Sequence, residues 1–194
     1  GVSRPDAPSE PRHGQTATSV GRIDPLKDVI AMLRAAALVC EAHPEARFVH
    51  YGPATETNRS YYDMCQLVHA DLDLGDRFVF MGSTDDQREA MRDADVYLST
   101  SISEGLPLSL LEAMSEGRPV VSTNVGGCAD AMNGCGVLVS AGDVFRIAHE
   151  IGFLLDNPEI GEIMGRRRFR RVERRFSTSS QLASYQDLFE AVAS

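Results

Sequence analysis

A mostly parallel, six-stranded sheet covered by helices on both faces is the fold that this sequence predicts, and three observations predict it. Six apolar-rich runs of five to seven residues recur between residues 17 and 140 with strand-like patterning. Between most of them lie stretches whose apolar residues return at spacings of three and four, the mark of helices that carry the chain back across a sheet. Crossovers of that kind force parallel pairing and cover both faces. The loops after the strands, finally, concentrate glycine, proline and charge, as expected of a ligand-binding edge.

The elements follow in order. Residues 1–17 hold Pro5, Pro8 and Pro11 among small and polar neighbours, a linker composition expected to be poorly ordered. With no initiator methionine, such a start reads as part of a longer chain, and the domain is expected over 18–194. ATSVGRI (17–23) is the first strand and Val29 to His43 the first helix. ARFVHYG (46–52) precedes a helix over Ser60 to Leu72, and RFVFMG (77–82) precedes a short helix over Asp86 to Asp93. VYLST (96–100) is the fourth strand; the turn Ser101 to Pro107 leads into a helix ended by Gly117, with proline suited to its first turn and glycine to its end. RPVVSTN (118–124) and GVLVS (136–140) complete the sheet. From Asp143 the pattern is helical, with breaks near Pro158 and Ser177. The sum is a Rossmann-like domain with a helical C-terminal tail.

Composition excludes several function classes. A net charge of −9 argues against nucleic acid as a partner, and no apolar run approaches the length of a membrane span. No basic-then-apolar leader opens the chain, so the expectation is a cytoplasmic domain. Cys40, Cys65, Cys128 and Cys135 form no C-x-x-C pair and read as reduced thiols, and the five histidines are scattered singly. Eighteen arginines accompany a single lysine, Lys27. Lysine offers a compact charge where arginine offers a planar fork, so phosphate binding is one physical reason to retain it, and chance is another.

Two places carry candidate chemistry. In GRIDPLKD (21–28), Arg22 and Lys27 flank a turn at the end of the first strand, placed either to hold a diphosphate or simply as surface charges at a helix start. In SEGLPLSLLEAMSEG (103–117), Glu104 and Glu112 frame the strand–turn–helix with seven residues between them. On the helical wheel Leu110, Leu111, Ala113 and Met114 share a face, and Glu112 falls on the side expected not to pack. Taken alone, that frame reads as an ordinary solvated helix glutamate and a loop carboxylate; the surrounding residues are what argue for more. The text lacks G-x-x-x-x-G-K-[ST] and lacks G-x-G-x-x-G after the first strand, which disfavours a P-loop NTPase and a dinucleotide dehydrogenase.

VGRIDPLKDV, FVHYGP, RFVFMGS and SISEGLPLSLLEAMSEGRPVVSTNVGG follow one another in the order and spacing of a known pattern. Over residues 18–194 the chain resembles the C-terminal, donor-binding half of retaining glycosyltransferases of family 4, which have the GT-B architecture. PLKDV, the Tyr61/Tyr62/Cys65 helix, SISE-x-LPL and VGGC are most similar to the PelF-like branch associated with Pel-type exopolysaccharide.

The resemblance implies a role for each matching residue. Arg22 and Lys27 would bind the donor's diphosphate. Gly105, Leu106 and Pro107 would form the turn at which the Gly105 and Leu106 amides meet phosphate or hexose. Glu112 would accept from the ribose hydroxyls, Glu104 would lie beside the donor hexose at the reacting centre, and Gly82 and Ser83 would border the base. It also implies UDP-glucose as donor substrate, no cofactor, no metal, retention of configuration, and an acceptor-binding N-terminal half as partner. The sequence departs from the pattern at Asp130, where many members carry glutamate, and in a short segment between Cys128 and Gly136. A nucleotide-sugar-binding module without catalysis of its own is the alternative, and a GT-B-like epimerase a third reading. GRRRFRRVERRF (165–176) fits a solvated helix, with an anionic membrane surface as the other reading.

Overall fold

The computed structural model describes residues 14–175. Six parallel strands form one sheet: β1 (Thr16–Val20), β2 (Arg47–Tyr51), β3 (Phe78–Gly82), β4 (Val96–Ser99), β5 (Val120–Thr123) and β6 (Val137–Val139). Their spatial order is β3-β2-β1-β4-β5-β6, so the chain winds outward in one direction from β1 and then restarts beside it at β4. The expected sheet is present in full. β1 begins at Thr16, inside the stretch expected as linker; the rest of that expectation falls on residues 1–13, and the break near Ser177 falls past residue 175, both outside the described residues.

Alternation along the strands divides the core in two. Val96 and Leu98 of β4, with Val121 of β5, face one side and join Phe48 and Phe78 beneath α1 (Val29–Ala42) and α6 (Val144–Asp156). Tyr97 and Val120 face the other side, beneath α4 (Leu108–Ser115), α5 (Cys128–Met132) and α7 (Pro158–Arg175). α2 (Arg59–Asp71) packs beside α1 and α3 (Gln87–Arg92) beside α4. Central strands buried on both faces explain why VYLS and VVST read as nearly continuous apolar text. α7 starts at the proline expected to break the tail.

Strand order reverses between β1 and β4, and the loops that leave the carboxyl ends of these strands are stitched to one another by backbone hydrogen bonds. The Gly21 N–H donates to the Tyr51 carbonyl at 2.9 Å, Ile23 N–H to Pro53 at 3.0 Å, Gly52 N–H to Gly82 at 2.7 Å, and Ile102 N–H to Leu26 at 2.8 Å. A register shift at the end of β2 and β3 pairs Tyr51 with Gly82, which turns the two loops toward the β1 loop. Gly52 has φ +152, and a Cβ there would overlap the Gly21 carbonyl, so this close approach of loops requires glycine.

Candidate functional site

The β1 loop is held by its own polar residues before any ligand is considered. The Asp24 side chain accepts from the Leu26 N–H at 2.8 Å and from the Asn58 amide at 2.9 Å. Asp28, in the left-handed region at φ 46, caps α1 by accepting from the Ala31 N–H at 3.2 Å. The Thr100 hydroxyl bonds the carbonyls of Lys27 and Asp28 at 2.8 and 3.1 Å, fixing the Lys27 backbone to the end of β4.

The second loop, Ser101 to Pro107, is equally constrained. The Thr123 hydroxyl donates to the Ser101 carbonyl, and the Gly127 N–H donates to Gly105 at 3.0 Å. Gly126, at φ +50, lies directly against the Glu104 carbonyl with no room for a Cβ. Pro107 is the residue just before α4 rather than its first helical residue, and Gly117 follows the helix at φ +71.

Both loops converge on one contact. The Lys27 ammonium donates to Glu104 Oε1 at 2.5 Å, and the Ser101 hydroxyl donates to the same oxygen at 2.7 Å. The side chains are 28% and 12% exposed, so the pair is partly removed from water. Directly beneath is a cavity of about 10 Å³ bounded by Lys27, Glu104, Ser101, Ser19, His50 and Tyr97. His50 is buried; its Nδ1 lies 2.6 Å from the Ser19 hydroxyl and its Nε2 has no hydrogen-bond partner among the described residues. Burial lowers its pKa to about 4, weakly opposed by the nearby Gly21 carbonyl, so the ring is neutral at neutral pH.

Beside the pair opens a second cavity, of about 430 Å³, bounded by Arg22, Lys27, Gly52, Ser83, Gln87 and Ser109. Arg22 extends into solvent with its side chain 66% exposed, 4.0 Å from Asp24. Gly82, at φ +73, ends β3, and its carbonyl accepts the Gly52 N–H, which sets the Ser83 position on the cavity wall. Gly105 and Leu106 are exposed at the entry to α4, and Pro107 is buried. A larger groove of about 880 Å³ crosses the outer face of α1, between Leu38, Leu72 and Phe145. Arg34 and Arg77 also line it, but of the two only the smaller cavity is bordered by the loops that leave β1, β2 and β3.

Glu112 differs from the expectation of a solvated position. It is half-buried, and its Oε2 is fully enclosed without a hydrogen-bond partner among the described residues. α3 packs against α4, and its Arg88 lies close enough to act on the Glu112 charge. Burial raises the Glu112 pKa, with Arg88 opposing. Ser109, one turn earlier on the same helix, borders both cavities. Tyr97 acts as a junction between the two glutamates: its hydroxyl meets the Val20 carbonyl at 3.5 Å, and its pKa is raised by burial, then by the Glu104 and Glu112 charges.

The structure therefore brings Arg22, Lys27, Ser83 and Glu104 to one edge, with Gly82, Gly105, Leu106 and Glu112 in the flanking elements. Sequence reasoning did not assign Ser101, Ser109, Tyr97, His50 or Gln87. Ser109, one helical turn before Glu112, was the one with a findable signal. Among the described residues no three His, Cys, Asp or Glu side chains group to hold a metal ion, and no helix is long and apolar enough to cross a membrane.

Comparison with known proteins bears on the same edge. The chain is 28% identical over 170 residues to N-acetyl-alpha-D-glucosaminyl L-malate synthase of Bacillus anthracis, covering 87% of this chain and 42% of that protein. It superimposes on a TarM mutant of S. aureus, solved with fondaparinux, alpha-GlcNAc-glycerol and UDP, with a TM-score of 0.86 at 25% identity, over 97% of this chain and 38% of that one. Anabaena HepE in complex with UDP and glucose shares the fold, with a TM-score of 0.83 at 21% identity, over 90% of this chain and 48% of that one. The chain thus spans less than half the length of these relatives, within a GT-B-type fold. The model of the family described as glycosyl transferases group 1 matches residues 14–157, which holds every loop of the edge just described, and the chain belongs to that family.

Proposed function

We propose that this chain is the donor-binding domain of a retaining glycosyltransferase that transfers a hexose, glucose, from a UDP-sugar to a glycan acceptor without a metal ion or other cofactor. The observation that carries the reading is the convergence of Lys27 and Arg22 on a cavity walled by backbone and small polar groups at the switch point of the sheet, with Glu104 beside it on Lys27. Breaking a bond to a diphosphate requires that its developing charge be met, and two cations at one strand end supply that without a metal. UDP in the TarM and HepE structures, and glucose in the latter, support the choice of donor.

In this reading Lys27 and Arg22 bind the diphosphate, and the Gly105 and Leu106 amides at the start of α4 add donors to phosphate or hexose. Gly82 and Ser83 border the base. Glu112, whose enclosed oxygen lacks a partner, accepts from the ribose hydroxyls, and Glu104 lies beside the hexose, where its charge favours positive character at the anomeric carbon. The acceptor site comes from a second, N-terminal domain, the work is cytoplasmic, and the branch is the PelF-like one of exopolysaccharide synthesis. The Arg-rich run 165–176, where the side chains of Arg168, Arg171, Arg174 and Arg175 lie outside the described residues, is read either as solvated or as a peripheral contact with an anionic membrane. A module that binds the nucleotide sugar without catalysis of its own is the second reading.

Calorimetric titration with UDP, GDP and ADP in the presence of EDTA tests the reading. It predicts a preference for UDP, weakened by Lys27→Ala and by Glu112→Ala; a folded chain that binds none of the three contradicts it.

A further inference from the structure

The Lys27–Glu104 pair presents a conflict that the donor-site reading does not address. The cation assigned to the diphosphate is already taken by a carboxylate at 2.5 Å, in a partly dehydrated place where such a pair is only weakly screened. Neither backbone is free to withdraw. Lys27 is anchored through its carbonyl to Thr100, and the Glu104 carbonyl lies against Gly126, with the next residue, Gly105, held by the Gly127 N–H. Only the side chains can exchange partners, and the four-carbon lysine stem is suited to that.

We propose that Glu104 is a built-in competitor of the donor's diphosphate for Lys27, and that it sets the balance between nucleotide-sugar binding and nucleoside-diphosphate release. The proposal rests on the donor-site reading above. A bare nucleoside diphosphate that draws Lys27 away replaces only the lysine's half of the pair. It leaves Glu104 with the Ser101 hydroxyl alone and a second negative charge nearby, an arrangement that is penalised in a dehydrated site. A nucleotide sugar replaces both halves, because its phosphates take the ammonium while the hexose hydroxyls donate to the vacated carboxylate. The site thereby discriminates donor from spent nucleotide with one internal ion pair. When the sugar has gone, the carboxylate recovers the ammonium and the diphosphate keeps only Arg22 of its two cations.

The test is calorimetric titration of the full chain with UDP and with UDP-glucose at neutral pH, comparing wild type, Glu104→Gln, Glu104→Asp, Glu112→Gln and Lys27→Ala. Glu104→Gln removes the competing charge at constant size and is expected to tighten UDP roughly tenfold, a change within the range of a single close charge pair, and to tighten UDP-glucose less. Glu104→Asp, whose carboxylate is drawn back by one methylene, is expected to give a smaller gain. Glu112→Gln is expected to weaken UDP through the lost ribose contact with no gain to offset it, because the charge acting on it is Arg88 and not Lys27. UDP affinity unchanged or weakened by Glu104→Gln, with the loss in Lys27→Ala intact, overturns the competition and leaves the donor site standing. Equal tightening by Glu112→Gln overturns it too, since a general field would then account for the effect. Absence of UDP binding in every variant removes the donor-site reading and the competition with it. Thermal melting of each variant establishes that it is folded.

Discussion

Lys27 and Glu104, 77 residues apart in sequence, meet at 2.5 Å because the end of β1 and the end of β4 lie side by side in the sheet. The contact depends on how closely the Glu104 turn and the turn after β5 can approach, and Gly126 sets that approach. Gly126→Ala forces a Cβ against the Glu104 carbonyl in a left-handed conformation. The expected cost is about 2–3 kcal/mol in denaturant melts together with weaker UDP binding. Gly75→Ala, at φ +54 with open space around it, is expected to cost only about 1 kcal/mol and to leave binding unchanged.

Glu112 is held above the ordinary carboxylate range by burial, so the folded chain keeps its proton to a higher pH than the unfolded chain does. For an acid shifted in this direction, stability is lost as pH rises from its ordinary value of 4.5 through the folded-state value. Glu112→Gln should therefore be the more stable protein at pH 7, with the advantage shrinking as pH falls through the raised folded-state value and gone by the time it reaches 4.5, measured by guanidinium melts. Its ribose contact should weaken at the same time, so the gain in stability comes with a loss in UDP affinity. A stability difference that does not change with pH contradicts this account of the carboxylate.

His50 titrates in the opposite sense. Its pKa falls from 6.5 in the unfolded chain to about 4 in the fold, so the folded state binds fewer protons between those values. Stability is present above 6.5 and drains away as pH falls toward 4, by about 3 kcal/mol in all if burial alone sets the shift. Replacement by phenylalanine should flatten this part of the pH–stability profile even if it lowers stability at pH 7 by leaving the Ser19 hydroxyl with only the Met32 sulfur, 3.1 Å away.

Glu116 ends α4 almost fully buried and accepts from Arg88 at 2.6 and 2.7 Å, with Arg92 at 3.7 Å. Arg88 also acts on Glu112. Arg88→Ala leaves a buried carboxylate under-compensated and should cost about 3 kcal/mol. It should also raise the Glu112 pKa further, which would appear as a stronger loss of stability with rising pH than in wild type.

Much of this was legible in the sequence because it depended on local pattern. All six strands announce themselves, since runs such as RFVFM and VYLS have few alternatives once flanked by glycine and charge. Arg22, Lys27, Glu104 and Glu112 stood out by spacing and by a family resemblance, and the structure places them around the edge where the strand order reverses. The burial of Glu112 was not legible. A helical wheel registers only the residues of α4, whereas burial depends on the elements packed around it, and the charge that acts on Glu112 is Arg88 on α3, which no short-range pattern ties to it. His50 escaped notice for a related reason: a lone histidine in FVHY carries no mark of the Ser19 hydroxyl that meets it from the neighbouring strand. The Lys27–Glu104 pair itself was hidden because each residue was read as facing a ligand, and only the fold shows that they face each other.

The assignment of Lys27 to a diphosphate is the central claim, and comparing UDP with uridine tests it most directly. Titration of wild type and Lys27→Ala with both ligands isolates the phosphates from the nucleoside. The account predicts a loss of at least about tenfold for UDP, in the range of a charge-assisted contact, and an unchanged affinity for uridine. Equal losses for the two ligands, or none for UDP, would contradict it.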